Sequence, residues 1–313
     1  MITPEEFHDQ GYYYHESFLT PEEVDNLLNL LPTARTGVQE YPVRLVDAGL
    51  IGEALTTKLQ KVNKIFFPDR DLLSIGGSFF VIYENNPKYS INLPWHQDHE
   101  TYYQMQQHYY LTNFWLVLEK GDPEHSNMSV VPFNKLREVD PVMANFTVGG
   151  GAGRFSEGRI SVDITGSSYD FDFDIDELAH VQPTKAGDLL LIRGDIIHRT
   201  QDQFTHRKSI GIRFVDPRTI IDRDFYYPTW PVHLKYIKSD IPQFAPFAFL
   251  FEYLDTDLLQ LGEVSKYHEK LRTGNLGELE PRYLEFKKRY TAEIDRRIVI
   301  GNKLHKEWWA PNR

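Results

Sequence analysis

From about residue 75 the chain breaks into short apolar runs, "GGSFFVIYE", "TNFWLVLEK", "NMSVVPF", "GRISVDIT", "GDLLLIRGD" and "KSIGIRFVD", separated by turn residues. Each is rich in β-branched or aromatic residues and too short to be an ordinary amphipathic helix. This texture predicts a mainly β chain whose antiparallel core, sandwich or barrel, spans about residues 75–218. The stretch from Phe146 to Asp176, with its glycine cluster at 149–153, is expected to be an inserted loop and hairpin.

Helical patterns flank this core. In "SFLTPEEVDNLLNLLP" Thr20 stands at a cap, Pro21 at the first helical position, and Val24, Leu27, Leu28 and Leu31 recur at helical spacing. "IGEALTTKLQKVNKIFF" gives a second helix, with Ile51, Leu55, Leu59, Val62 and Ile65 on one face. A helical C-terminal extension is expected over about residues 235–313, where Tyr283, Phe286, Tyr290, Ile294 and Ile298 form one stripe. The aromatic-rich stretch that begins at Tyr226 reads as a lid, a dimer interface or simple core. With no repeat and no linker, residues 1–313 read as a single domain, monomeric or homodimeric.

Composition narrows the chemistry. No cysteine is present, so thiolate zinc sites, disulfides and cysteine nucleophiles are excluded, and any metal must sit on His, Asp or Glu. A net charge of -11 argues against extended nucleic-acid binding. Neither a basic leader followed by an apolar stretch nor an apolar run long enough to span a bilayer occurs, so a soluble cytoplasmic protein is expected, with no membrane partner.

The segment "LPWHQDHETYY", residues 93–103, packs two histidines and two acids together. On a strand, side chains two apart share a face, so His96 and Asp98 point together while Gln97 and His99 point away. On a helix the pair would be His96 and His99, but Pro94 and the β-rich surroundings disfavour one. A His-x-Asp pair alone is a weak signal. A second element follows in "AGDLLLIRGDIIHRTQDQFTHRKSIGIRF", which supplies His198 and then Arg207. Two imidazoles and one carboxylate on one face of an iron are the donor set of non-haem Fe(II) oxygen activation. Arg207 would hold an anionic co-substrate, with Arg213 its rival on the same strand. A tight hairpin centred on Asp202 and Gln203 would set His198 and Arg207 opposite each other.

Together these stretches, with "GYYYHESFLTPEEV" and "NFWLVLEKGDPEHSNMSVVPF", resemble the phytanoyl-CoA dioxygenase family of Fe(II)- and 2-oxoglutarate-dependent oxygenases over roughly the first 215 residues. The resemblance implies a double-stranded β-helix, or jelly roll, with flanking α-helices. It implies a metal triad of His96, Asp98 and His198, with 2-oxoglutarate bound by Arg207 and lined by Trp115 and Thr200; Ser209 is a weaker match. It implies a hydroxylase that uses Fe(II), 2-oxoglutarate and O2 and releases succinate and CO2 from a reaction on a small organic molecule. Before Pro132 the family usually reads Asn-Gly, whereas this chain has "EHSNMSVVPF".

Plainer readings stand beside these. The triad could be a metal-free hydrogen-bonded cluster, and Trp115 could be core. Gln97, His99, Tyr102 and Tyr103 could line a substrate pocket or belong to an exposed loop. Arg193 is out of phase with His198 and is expected to face away from the metal. At the level of function, the alternatives are a non-catalytic jelly-roll binding or sensing protein and a cupin-type metalloenzyme with no use for 2-oxoglutarate.

Overall fold

Thr3 starts the fold with a reciprocal cap: its hydroxyl accepts the Glu6 N–H at 3.1 Å, and the Glu6 carboxylate accepts the Thr3 N–H at 2.7 Å. Helix α1 (Pro4–Gln10) follows and ends at Gly11, whose φ of 89° suits a residue without Cβ. The same device recurs at Thr20 and Glu23 ahead of helix α2 (Pro21–Leu30). Each cap contributes about 1 kcal/mol. Helix α1 was not anticipated, although "TPEEF" repeats the cap signature of "TPEEV".

The computed structural model describes residues 2–30, 41–43, 53–82, 94–98, 111–148, 153–156, 158–162, 167–202, 205–223, 241–264, 267, 270, 277 and 280–309. The chain divides into two compact units, Met1–His99 with Gln106–Asp216, and Glu100–Met105 with Pro217–Arg313.

The first unit holds the jelly-roll core. Its larger sheet is six-stranded and antiparallel. In spatial order it runs β1 (Tyr12–His15), β10 (Leu189–Arg193), β4 (Thr112–Lys120), β12 (Arg207–Val215), β3 (Leu73–Ile82) and β2 (Tyr41–Val43). Two of these strands, β1 and β2, lie upstream of residue 75, where the sequence pattern places the start of the core. Only a few residues long, they sit at the two edges and carry no extended alternation to read.

The smaller sheet pairs β11 (Ile197–Thr200), β5 (Met128–Val131) and β9 (His180–Val181). A second antiparallel trio, β6 (Gly153–Ser156), β7 (Arg159–Val162) and β8 (Ser168–Asp170), joins it through His96, which bridges to Arg154 on one side and His198 on the other. The expected inserted loop and hairpin is therefore a three-stranded extension of the smaller sheet.

Strand alternation sorts the side chains into two layers. Phe114, Leu116 and Leu118 of β4, Leu189 and Leu191 of β10, and Ile210, Ile212 and Phe214 of β12 pack against α1, α2 and helix α3 (Glu53–Phe66). On the opposite face Trp115 and Val117 of β4 and Leu190 and Ile192 of β10 meet Val130 of the smaller sheet. A register irregularity refines this pattern: Lys208 faces Glu119 and Ser209 faces Val117, so Leu118 is skipped and Arg207 comes opposite Lys120. The bulge changes which face the end of β4 presents and brings Lys120 beside Arg207.

In the second unit Ala245, Ala248, Phe249, Leu250 and Phe251 of helix α6 (Ile241–Tyr253, after two short helices α4, Phe133–Val139, and α5, Pro141–Thr147) are buried. Phe249 meets Tyr283 and Phe286 of helix α7 (Glu280–Trp309), with ring centroids 5.4 and 5.6 Å apart. The stripe read from the sequence is the buried face of α7, with Tyr283, Phe286, Tyr290 and Ile294 enclosed and Ile298 partly so. Strand β13 (Ile220–Asp222) pairs with β14 (Leu258–Gln260). Residues 226–240 of the aromatic-rich stretch lie outside the described residues. No helix among the described residues is long and apolar enough to cross a membrane.

Candidate metal centre

His96 and His198 are direct cross-strand partners. The His96 N–H donates to the His198 carbonyl at 3.0 Å, and the His198 N–H donates to the His96 carbonyl at 2.8 Å. Opposed residues of an antiparallel pair share a face, and the two imidazole centroids are 4.3 Å apart. Each ring is oriented by its own backbone neighbourhood: Nδ1–H of His96 donates to the Pro94 carbonyl at 2.8 Å, and Nδ1–H of His198 donates to the Ile196 carbonyl at 3.0 Å. Because a carbonyl can only accept, Nδ1 carries a proton on both rings, which leaves Nε2 as the nitrogen available to a metal.

Two residues along from His96, Asp98 returns to the same face, and its Oδ1 lies 3.6 Å from His198 Nε2. One ligand atom from each of His96, Asp98 and His198 falls within 4.8 Å of the others. Ligands at right angles around a metal, each about 2.1 Å from it, are about 3 Å apart, so small side-chain adjustments close this set around one ion.

The electrostatics suit metal binding. Burial, reinforced by His198, lowers the pKa of His96 to about 3, which keeps it a neutral donor. Burial works to raise the pKa of Asp98, but Arg213, His198, His96 and the Asn113 hydrogen bond outweigh it and hold the carboxyl ionised. Asn113 Nδ2 donates to Asp98 Oδ2 at 2.8 Å, leaving Oδ1 to face the histidines.

Gln97 points away from this cluster, as strand alternation requires, and is fully buried. Its amide donates to the carbonyls of Thr147 at 2.9 Å and Asp195 at 2.6 Å and accepts the Gly153 N–H at 3.1 Å. With those bonds committed to backbone, Gln97 locks the His-x-Asp segment into the smaller sheet and is not placed as a substrate contact. His99, Tyr102 and Tyr103 lie outside the described residues.

Arg207 is buried in the interior layer, with Cζ 5.2 Å from the centroid of Trp115. Its Nη1 donates to the Ser126 carbonyl at 2.8 Å, while its Nε is buried with no hydrogen-bond partner. Burial lowers its pKa to about 10, opposed by the charge of Asp202, so it stays cationic at neutral pH. Trp115 belongs to the core: it packs with Val130 and Ile192, and its Nε1 donates to Ser209 Oγ at 3.1 Å. Thr200, at the end of β11, is half-buried.

The hairpin condition considered for His198 and Arg207 does not hold. Strand β11 belongs to the smaller sheet and β12 to the larger, so the turn between them crosses from one layer to the other. The rival Arg213 lies 3.6 Å from Asp98 Oδ1, beside the candidate metal ligands. Arg193 pairs with Asp195 at 2.7 and 3.0 Å and stacks over Phe133, away from the cluster as expected.

Asn113, Lys120 and Ser126 were missed in the sequence. The period-2 alternation of β4 could have flagged Asn113, a polar residue on the face that carries Trp115. Nothing local flags Ser126, whose importance comes from a partner 81 residues away.

The description "Phytanoyl-CoA dioxygenase (PhyH)" belongs to the family whose sequence model matches residues 75–208. No curated protein matches the chain. Among solved structures, the α-ketoglutarate-dependent epimerase SnoN from nogalamycin biosynthesis is similar at 15% identity and a TM-score of 0.46, over 70% of this chain and 83% of that one. EvdO2 from Micromonospora carbonacea var. aurantiaca, complexed with 2-oxoglutarate, is similar at 15% identity and 0.45, over 68% and 89%. The non-heme monooxygenase ThoJ is similar at 15% identity and 0.47, over 69% and 77%. The segment 75–208, which carries His96, Asp98, His198 and Arg207, is thus matched by the phytanoyl-CoA dioxygenase family, the family its motifs resemble.

Proposed function

We propose that the chain is a 2-oxoglutarate-dependent non-haem iron oxygenase that hydroxylates a small organic molecule, with release of succinate and CO2. The observation that carries this reading is one interior layer holding two histidines whose Nδ1–H groups are held by backbone carbonyls, an ionised carboxylate beside them, and a buried arginine whose Nε lacks a partner. A metal-free hydrogen-bonded cluster would not need both Nδ1 protons directed away from the shared centre.

The donor set fits Fe(II): two imidazoles and one carboxylate oxygen leave open positions for a bidentate 2-oxo acid and O2. When bound, the iron supplies O2 activation coupled to decarboxylation of the co-substrate. His96 and His198 hold it through rings fixed by the Pro94 and Ile196 carbonyls. Asp98 offers Oδ1 because Asn113 occupies Oδ2. Arg207 takes the far carboxylate of 2-oxoglutarate, as a guanidinium can through two parallel hydrogen bonds. Trp115 forms an apolar wall that keeps Arg207 in place and water out. Both compact units are read as parts of one cytoplasmic enzyme, a monomer or homodimer.

Anaerobic ultraviolet-visible titration tests this: Fe(II) is added to the protein, then 2-oxoglutarate, and the weak charge-transfer band of a chelated 2-oxo acid is followed. We expect a band that disappears in His96→Ala and needs far more 2-oxoglutarate in Arg207→Ala. A folded, iron-exposed protein that gives no band, and forms no succinate in air, would fit the non-catalytic or cupin-type alternatives instead.

A further inference from the structure

Helix α7 buries one face, carrying Tyr283, Phe286, Tyr290 and Ile294, with Phe249 packed on it. The opposite face leaves apolar side chains in solvent: Leu284 is 49% exposed and Val299 69%. Between them Lys288, Thr291, Ala292 and Asp295 continue the same stripe at three- and four-residue steps. Lys288 and Ala292 are exposed, and Thr291 and Asp295 are half-buried. An open groove of about 480 Å³ runs along this face, lined among the described residues by Leu284, Lys287, Lys288, Thr291, Ala292 and Asp295.

The stripe is symmetric in chemistry about the point between Thr291 and Ala292. Leu284 and Val299 are equidistant from that point, and so are Lys288 and Asp295. A second copy of α7 laid antiparallel on this face therefore brings each Lys288 level with the partner's Asp295, and each Leu284 level with the partner's Val299. The small side chains of Thr291 and Ala292 meet at the centre, where they let the helix axes approach. One two-fold operation supplies both ion pairs and both apolar contacts, as an isologous interface requires. A parallel pair would instead set lysine against lysine and aspartate against aspartate, so the charges select the antiparallel arrangement.

The flanking charges agree with this. By helical phase Lys287 lies on the edge nearest the partner's Asp295, and Glu285 on the edge nearest the partner's Arg296. Arg289 is paired with Glu252, and Arg296 and Arg297 with Glu293, all within one chain. What each copy presents is thus Lys287 and Lys288 against Glu285 and Asp295, a balanced set.

We propose that the chain forms a two-fold homodimer through the outer face of α7, the two copies antiparallel and crossing at Thr291 and Ala292. Every residue of the contact belongs to the second unit, so the dimer is independent of the 2-oxoglutarate reading. Leu284 to Val299 spans roughly 22 Å of helix, which makes a small interface and a dimer of micromolar strength.

Sedimentation equilibrium of the full chain from about 5 to 500 µM tests this: the mass should rise from one chain towards two, with a Kd on the order of 10–100 µM. Lys288→Glu brings like charges level at both ends of the contact and should weaken dimerisation about tenfold, and Asp295→Lys should do the same. An equimolar mixture of these two variants should recover dimers, because each offers the other the charge that its own copy lacks. Val299→Glu, at an exposed position, should weaken dimerisation without unfolding the chain. Circular dichroism checks that each variant is folded; if Asp295→Lys is not, Lys288→Glu and Val299→Glu decide the matter. A wild type that stays monomeric across the range overturns the proposal. Folded single variants that dimerise as well as wild type also overturn it, since the contact then lies elsewhere, and a mixture no better than its components overturns the antiparallel pairing.

Discussion

Asn113 and Arg213 stand directly opposite each other on β4 and β12, and both reach Asp98. Asn113 takes Oδ2 at 2.8 Å, and Arg213 approaches Oδ1 at 3.6 Å. The Asp98 carboxylate comes from the segment that joins the smaller sheet, whereas the pair that orients it comes from the larger one, so the candidate centre depends on the packing of the two layers. Asn113→Leu should let the carboxylate rotate and weaken Fe(II) or Co(II) binding by roughly tenfold or more, the usual effect of removing such a support. Competition against a chelator measures it, and unchanged affinity would show that Asp98 needs no help from β4.

Lys120 gives a pH dependence with a definite sign. Burial, followed by the charge of Arg207, lowers its pKa from 10.5 to about 8, against the raising influence of Asp122, Asp202 and Glu124. The charged form is thus present below about 8 and lost above it, while Arg207, at about 10, is still cationic. On the proposed function, 2-oxoglutarate should bind a few-fold more weakly at pH 9 than at pH 7, as one nearby positive charge disappears. Lys120→Arg keeps the charge and should flatten the profile. For stability the sign is opposite: the unfolded chain holds the extra proton between about 8 and 10.5, so this residue's contribution rises with pH across that window. Identical binding profiles in wild type and Lys120→Arg would remove Lys120 from the electrostatics of the site.

The fold and the site differ in how much of each is legible in the sequence. The unbroken apolar runs in "TNFWLVLEK" and "GDLLLIRGD" expose the core strands because both faces of those strands are packed. His96 and Asp98 are legible because a strand puts alternate residues on one face, and His198 because it follows an apolar strand and precedes a polar turn and the strand that opens with Arg207. Strand β1 and helix α1 are short and owe their stability to tertiary packing, such as the stack of Phe7 on Phe66 at 4.3 Å. The polar supports were hidden for a different reason. Gln97 and Ser126 act through partners 98 and 81 residues away, and no local period encodes a contact of that range.

Gly153 and Gln97 make the support of the metal motif testable by sterics. A Cβ at Gly153 would meet Gln97 Oε1 at 2.6 Å and Ile160 Cδ1 at 2.8 Å, and the Gln97 oxygen is held by the Gly153 N–H itself. Gly153→Ala should therefore cost about 1–3 kcal/mol, the usual penalty for overpacking. Because the Gln97 N–H also bonds to the Gly153 carbonyl at 3.0 Å, displacement there should reach His96 and weaken metal binding as well. Urea unfolding and a metal titration on the same variant check both parts; normal stability would mean that the 95–97 segment has room to shift.

Ser126→Gly should raise stability. The left-handed conformation, seen here as a φ of 54°, costs an L-residue about 1–2 kcal/mol, and glycine gives back about 0.5–1 kcal/mol of that gain through the freedom of the unfolded chain. Removal of the unpartnered hydroxyl adds to the stabilising side. The variant should therefore be at least as stable as wild type, with a Tm equal or a few degrees higher. Ser126→Ala provides the contrast: it loses the hydroxyl but keeps the Cβ and the strain, so its Tm should fall below that of Ser126→Gly. Differential scanning calorimetry of the three proteins distinguishes these cases. If Ser126→Gly melts well below wild type, the serine hydroxyl has a structural partner that outweighs the backbone strain.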